Sequence, residues 1–248
     1  MIIIKSKQEI DIMREAGKVT GQVLKELENF IKPGISTLDI DQFVENFIRK
    51  HKMIPSFKGL YGFPGSACVS VNEEVVHGIP SKKKILKEGD IVSVDVGSTF
   101  NGYASDAART YGVGAISDEA RHLIEATRDS FFAGMEFCKV GKRLSDVSHA
   151  IQMKAEGEGF SVIRDYVGHG IGRDMHEDPQ IPNFGKPGRG PRLAEGMVLA
   201  IEPMIAQGHY ETDVLLDDWT VVTVDGKLAA HYENTVVITD GEPELLTL

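Results

Sequence analysis

The chain lacks most of what would place it in a membrane, outside the cell or on nucleic acid. Only two of its 248 residues are cysteine, Cys68 and Cys138. They are too few for a disulfide framework, and no secretory signature accompanies them. The apolar start, Met1 to Ile4, is shorter than a signal-peptide core and runs at once into helix signals. No stretch approaches the roughly 20 apolar residues of a membrane span, so a reducing, cytoplasmic setting is expected. Cations are also scarce: 27 Lys and Arg against 37 Asp and Glu leave a formal charge of −10, and Lys82-Lys83-Lys84 is the only basic run. Phosphate neutralisation needs clustered cations, so no direct nucleic-acid binding role is expected. The irregular stretch Gly185 to Pro191, GKPGRGP, lacks the lysine-serine/threonine ending and the strand context of a phosphate loop. No linker rich in Pro, Ser or charge divides the chain, so residues 1–248 are expected to form one domain with a single shared sheet.

What is present centres on Glu88 to Thr110, EGDIVSVDVGSTFNGYASDAART. Alternating apolar runs flank Asn101-Gly102, the pair a two-residue type I′ turn favours because both central positions need φ > 0. That turn sets Gly97 opposite Asp106 and Ala108 opposite Asp95, which makes Asp95 and Asp106 diagonal neighbours on one face, roughly 7–8 Å apart at Cα. Carboxylates leaning together from there suit a cation pair roughly 3.5–4 Å apart. A solvated polar face is the alternative.

Ser6-Lys7-Gln8-Glu9 is a capping box for a first helix running to about Phe30, and a second helix is expected from about Ser36 to Lys50. A glycine-rich loop (Gly59 to Gly65) and a short strand (Ala67 to Val71) follow. Ser117 is expected to cap a third helix, Ser145 a fourth, and Asp225-Gly226 to turn a second hairpin from Trp219 to Thr239. Phe30-x-Lys32-x-Gly34 with Asp39-Ile40 recurs 107 positions later as Phe137-x-Lys139-x-Gly141 with Asp146-Val147. Glu88-Gly89 and the strand to Asp95 recur at the same shift as Glu195-Gly196 and the strand to Glu202. Two related halves are implied, roughly 6–113 and 114–248, and pseudo-twofold packing would bring Asp95 and Glu202 together.

Five donors then fall on sheet or sheet-edge positions: Asp95, Asp106, His169, Glu202 and Glu233. Four carboxylates and one imidazole suit hard or borderline divalent ions such as Mn, Fe, Co or Zn. Taken singly, each has an ordinary structural explanation. The longer motifs VNEEVVHGIP (Val71 to Pro80), GDIVSVDVG with SDAART, YVGHGIGRDMHEDPQIPN (Tyr166 to Asn183), GMVLAIEPM (Gly196 to Met204) and HYENT (His231 to Thr235) resemble the type I methionine aminopeptidases of the M24 metallopeptidases. The resemblance runs in order from the first helix to the last strand.

It implies an α+β pita-bread fold, two pseudo-symmetric halves sharing a curved antiparallel sheet with helices outside. It implies that Asp95, Asp106, His169, Glu202 and Glu233 hold two divalent metal ions, and that a metal-bridging water attacks the carbonyl after an N-terminal methionine. Glu202 would accept that water's proton, and His77 and His176 would hydrogen-bond the scissile amide. The methionine pocket maps onto Phe57, Leu60, Phe63, Cys68, Met175 and Trp219. Leu60 and Phe63 replace tyrosines common in relatives, Met175 replaces phenylalanine or leucine, and Asn234 replaces a histidine. With 26 positions between His176 and Glu202 there is no room for the insertion of type II relatives, so a short, bacterial-type monomer is expected. Its partners would be nascent chains beginning with Met and, transiently, the ribosome through Lys82 to Lys84. A prolidase or aminopeptidase P relative, or a non-catalytic binding module of the same fold, is the competing reading.

Overall fold

Caps and apolar stripes produce four helices in the computed structural model, which describes all 248 residues. Helix α1 (Lys7–Phe30) opens on the Ser6–Glu9 capping box and buries Met13, Ala16, Val23, Leu24 and Leu27. Helix α2 (Thr37–Lys50) opens on a second box made by Ser36 and Asp39. Ser117 caps α3 (Asp118–Met135), its side chain accepting from the Ala120 N–H. Helix α4 (Leu144–Gly157) begins earlier than the Ser145 cap predicts. Asp146 accepts the Arg143 N–H at 2.8 Å, whereas the Ser145 hydroxyl is taken by the backbone of Arg189, donating to its carbonyl at 2.9 Å and accepting its N–H at 2.7 Å. A loop distant in sequence thus outbids the local cap. No helix is long and apolar enough to cross a membrane.

The strands are β1 (Ile54–Pro55), β2 (Ala67–Val71), β3 (Glu74–Val76), β4 (Ile91–Phe100), β5 (Tyr103–Gly112), β6 (Ser161–Val162), β7 (Gly168–Gly170) and β8 (Glu177–Ile181). They continue with β9 (Val198–Ile201), β10 (Met204–Ala206), β11 (Thr212–Val214), β12 (Val221–Thr223), β13 (Ala229–His231), β14 (Asn234–Val237) and β15 (Glu244–Leu245). All pairings are antiparallel and fall into four ladders: β1-β4-β2 with β5 on β4, β15-β14-β9-β7-β8, β13-β10-β6, and β11-β12-β3. Backbone and side-chain hydrogen bonds join the two large ladders: Glu233 N–H donates to the Ala108 carbonyl at 3.0 Å, and Thr235 Oγ1 accepts from Asp106 N at 2.9 Å and donates to Asp106 O at 2.8 Å.

The β4–β5 hairpin has the expected register, Asp95 opposite Ala108 and Gly97 opposite Asp106. Its turn residues are both left-handed, Asn101 at φ 47° and Gly102 at φ 78°. Val92, Val94 and Val96 are fully buried against α1 and α2 with Val23, Leu27, Val44 and Ile48, each valine contributing about 1.5–3 kcal/mol. The opposite face is not a solvated one: Asp106 is only 3% exposed. The second expected hairpin does not form as such. The Asp225-Gly226 turn is made, with Gly226 N–H donating to Thr223 O at 3.2 Å. Yet β12 pairs with β11 and β3, while β13 pairs with β10.

The shift of 107 recurs in the geometry. Thr37 and Leu144 open α2 and α4 at that spacing, and Lys50 and Gly157 close them. The isolated bridges Ser36–Ile85 and Arg143–Arg192 keep it too. We propose on this basis that one domain, 1–248, contains the two copies, roughly 6–113 and 114–248. The second copy buries its own core, with Phe131, Val147 and Ile151 against Leu199, Ile201 and Val236.

Candidate active site

The donors arrive by several local devices. Asp95 and Asp106 sit mid-strand on the paired faces of β4 and β5, Glu202 follows the end of β9, and Glu233 lies in the break between β13 and β14. His169 is centred in β7, where flanking glycines permit contact: a Cβ on Gly168 would sit 2.4 Å from Ala200 O, and one on Gly170 2.1 Å from Asp178 O. His169 Nε2 lies 3.5 Å from Glu202 Oε1 and 3.8 Å from Asp106 Oδ2. Its Nδ1–H donates to the Gly170 carbonyl at 2.9 Å, which leaves the Nε2 lone pair free to act as a ligand. Ligand atoms of Asp106, His169 and Glu233 fall within 4.8 Å of one another.

The electrostatics show what this cluster would accept. Burial, then the neighbouring carboxylates, pushes Asp106 and Glu233 well above the usual carboxylate range, and burial raises Glu202 likewise. Asp95 is raised to about 6 by burial, with Glu202 adding and His231 opposing. Burial also lowers His169 and His77 to about 4 and His176 in the same direction. Asp95 Oδ1, Asp106 Oδ1 and Glu233 Oε1 are buried without a hydrogen-bond partner. Buried acceptors that face one another without a donor are what a bound cation would satisfy. The donor set therefore fits divalent metal ions.

Beside the cluster lies a cavity of about 330 Å³ lined by Phe57, Leu60, Phe63, Cys68 and Trp219 together with His77, His176, Asp95, Asp106, His169 and Glu202. Of the expected pocket residues, Met175 does not reach the wall. It packs behind it with Phe57, Phe63 and Cys68, its Cε 2.8 Å from where a Gly97 Cβ would stand. Glu233 is likewise behind the surface, 1% exposed. His77 occupies a left-handed position, φ 60°, just past β3, and packs edge-on against Tyr166 at 5.6 Å. Such a backbone costs about 1–3 kcal/mol and clusters at functional sites. Asn234 is buried, its Oδ1 accepting from Arg109 Nη2 at 2.8 Å and from Thr247 Oγ1 at 3.0 Å. It thereby braces the arginine that also donates to Glu233 O.

Two residues of the site escape the sequence reading. Tyr61, 75% exposed at the cavity rim with φ 51°, stacks on His176 at 5.8 Å. The glycines on either side of it were the available signal. His231, 1% exposed, points Nε2 into the carboxylates.

An antiparallel α+β scaffold placing clustered carboxylates and an imidazole at the foot of an apolar cavity defines a metal-dependent hydrolase. The comparisons make that class specific. The chain belongs to metallopeptidase family M24, whose sequence pattern matches residues 11–240. It is 59% identical to a methionine aminopeptidase of Clostridium acetobutylicum over 248 residues, covering 100% of this chain and 99% of that one. It is 56% identical to methionine aminopeptidase 1 of Bacillus subtilis, with 100% and 99% covered. A crystal structure of methionine aminopeptidase from Thermotoga maritima superposes with a TM-score of 0.98 at 50% identity, covering 100% of this chain and 99% of that one. The fold is the pita-bread fold of that family.

Proposed function

We propose that this protein is a metal-dependent aminopeptidase that removes the N-terminal methionine of newly made chains and prefers a small residue after it. The observation that carries the reading is the set of buried, unpaired carboxylate oxygens at the foot of an apolar cavity. Asp95, Asp106, His169, Glu202 and Glu233 hold two divalent ions, of Mn, Fe, Co or Zn. Bound there, such ions supply Lewis-acid polarisation of a carbonyl and acidify water. Phe57, Leu60, Phe63, Cys68 and Trp219, with Met175 packed behind them, suit a flexible thioether chain. Glu202, its acidity weakened by burial, accepts a proton at a carboxylate oxygen and returns it to the departing amine. His77 and His176, kept neutral by burial, orient the scissile amide and stabilise charge developing on its oxygen.

The protein acts as a cytoplasmic monomer on emerging chains. Lys84 is ion-paired with Glu74, so transient ribosome contact falls to the exposed Lys82 and Lys83. Purified protein with Mn, Fe or Co is expected to release methionine from Met-Ala-Ser and little from Met-Arg-Ser. Release from neither peptide defeats the reading, and preferential cleavage of X-Pro bonds transfers the chain to the prolidase type of activity.

A further inference from the structure

His231 is a buried imidazole that the chemistry above leaves unused. It ends β13 opposite Met204, and its Nε2 has no hydrogen-bond partner. Leaving a buried polar group unpaired costs about 1–3 kcal/mol. Its surroundings are acidic: Nε2 lies 3.6 Å from Glu202 Oε2 and 3.8 Å from Glu233 Oε2. Those gaps are too long for hydrogen bonds. They approach the spacing of two donors on one ion, since metal bonds of about 2.1 Å set tetrahedral donors roughly 3.4 Å apart. Glu202 also faces His169 through its other oxygen, at 3.5 Å. Each oxygen of Glu202 therefore looks at a different imidazole. Glu233 belongs to both donor groups, one with Asp106 and His169 and one with Glu202 and His231, each with its ligand atoms within 4.8 Å.

We propose that His231 is itself a ligand, binding a divalent cation through Nε2 together with Glu202 and Glu233. The inference rests on the metal-dependent reading above and extends its five donors to six. One imidazole, of His169 or of His231, then belongs to each of the two donor groups that share Glu233. A second nitrogen donor moves preference away from Mn and towards Fe, Co and Zn.

Cobalt titration of metal-free protein tests this, with calorimetry for affinity and visible absorption for the ligand field, on wild type, His231→Gln and Asp106→Asn. His231→Gln is expected to weaken one Co²⁺ equivalent roughly tenfold or more, to change the visible bands and to keep the wild-type circular dichroism. Wild-type affinity, stoichiometry and spectrum in that variant overturn the proposal. Asp106→Asn separates the two layers. If it loses cobalt while His231→Gln does not, only the role of His231 falls; if neither changes, the metal reading falls with it. Should His231→Gln not fold, paramagnetic NMR of cobalt-loaded wild type decides. Two shifted imidazoles support the proposal, and one, from His169 alone, overturns it.

Discussion

Two turns of similar sequence, Asn101-Gly102 and Asp225-Gly226, do different things. The first joins strands of ten residues each that stay paired from Phe100–Tyr103 to Ile91–Gly112. The second reverses the chain and then releases it, β12 into one ladder and β13 into another. The glycines are alike, φ 78° and φ 69°. The difference lies in what the flanking residues bury. Val92, Val94 and Val96 commit one face of β4 to a single core. On the two sides of the second turn, Val221 and Ala229 pack in one cluster with Met204, while Ala230 joins another with Leu123 and Ile205. Asp225 is occupied locally, accepting from His209 N at 2.8 Å and Lys227 N at 3.1 Å. A turn dipeptide thus specifies a reversal, and pairing depends on the partners at hand: β4 and β5 stay on each other, whereas β12 goes to β11 and β3 and β13 to β10, although Val221 and Ala229 share a core.

The contrast predicts the largest effects at the first hairpin. Asp106→Asn is expected to lower kcat/KM on a Met-Ala peptide by at least roughly 10²-fold with circular dichroism unchanged. Asp225→Asn in the second turn should leave kcat/KM within about twofold, since it touches only backbone amides. Near-normal cleavage by Asp106→Asn would remove the first hairpin from the chemistry. Next comes a one-residue insertion after Gly102, which slips the register and turns Asp106 to the wrong face. Activity and the cooperative thermal transition should both be lost. The same insertion after Gly226 is expected to retain both, because no ladder spans that turn; equal damage at the two sites would erase the distinction.

The extent to which the site was legible follows the same division. Helix starts at Ser6, Ser36 and Ser117 were readable because each cap is satisfied within its own first turn. Ser145 misled because its hydroxyl is claimed by Arg189, 44 residues away. Hairpin register placed Asp95 and Asp106, and the 107-residue shift pointed from Asp95 to Glu202. Motif resemblance was needed for His169 and Glu233, which reach the cluster from a short strand and a strand break that leave no periodic signature. His231 opens the same HYENT motif as Glu233 but had no reason to be chosen. Its unpaired Nε2 is a property of packing, as is the position of Met175 behind the cavity wall.

A smaller effect sharpens the electrostatic side of the first hairpin. In metal-free protein Asp95 has its pKa raised from 3.8 to about 6, chiefly by burial. A carboxyl whose folded pKa exceeds its unfolded value binds more protons folded than unfolded between the two. Ionising it in the folded state therefore costs stability as pH rises from about 4 to about 6, and the penalty persists above that window. Asp95→Asn removes the penalty. Urea unfolding with chelator present should show the variant more stable than wild type at pH 7.5, with the gap closing towards pH 4. A gap that does not change with pH means that Asp95 is not the group responsible.

The smallest expected effect isolates the two turns themselves. Gly102→Ala and Gly226→Ala each force a side chain into left-handed backbone, at about 1 kcal/mol. Neither meets a steric obstacle: Gly226 has nothing within 4 Å of an added Cβ, and Gly102 only Arg173 Nη1 at 3.7 Å. The two losses of stability should therefore match within a few tenths of a kcal/mol in urea unfolding. Activity should not match. Strain at Gly102 is relieved along a ladder that carries both aspartates, so kcat is expected to fall about two- to fivefold, whereas strain at Gly226 dissipates between ladders and leaves kcat unchanged. If both variants lose stability equally and also lose kcat equally, the second turn is mechanically coupled to the site after all, through β13 and the His231 it carries.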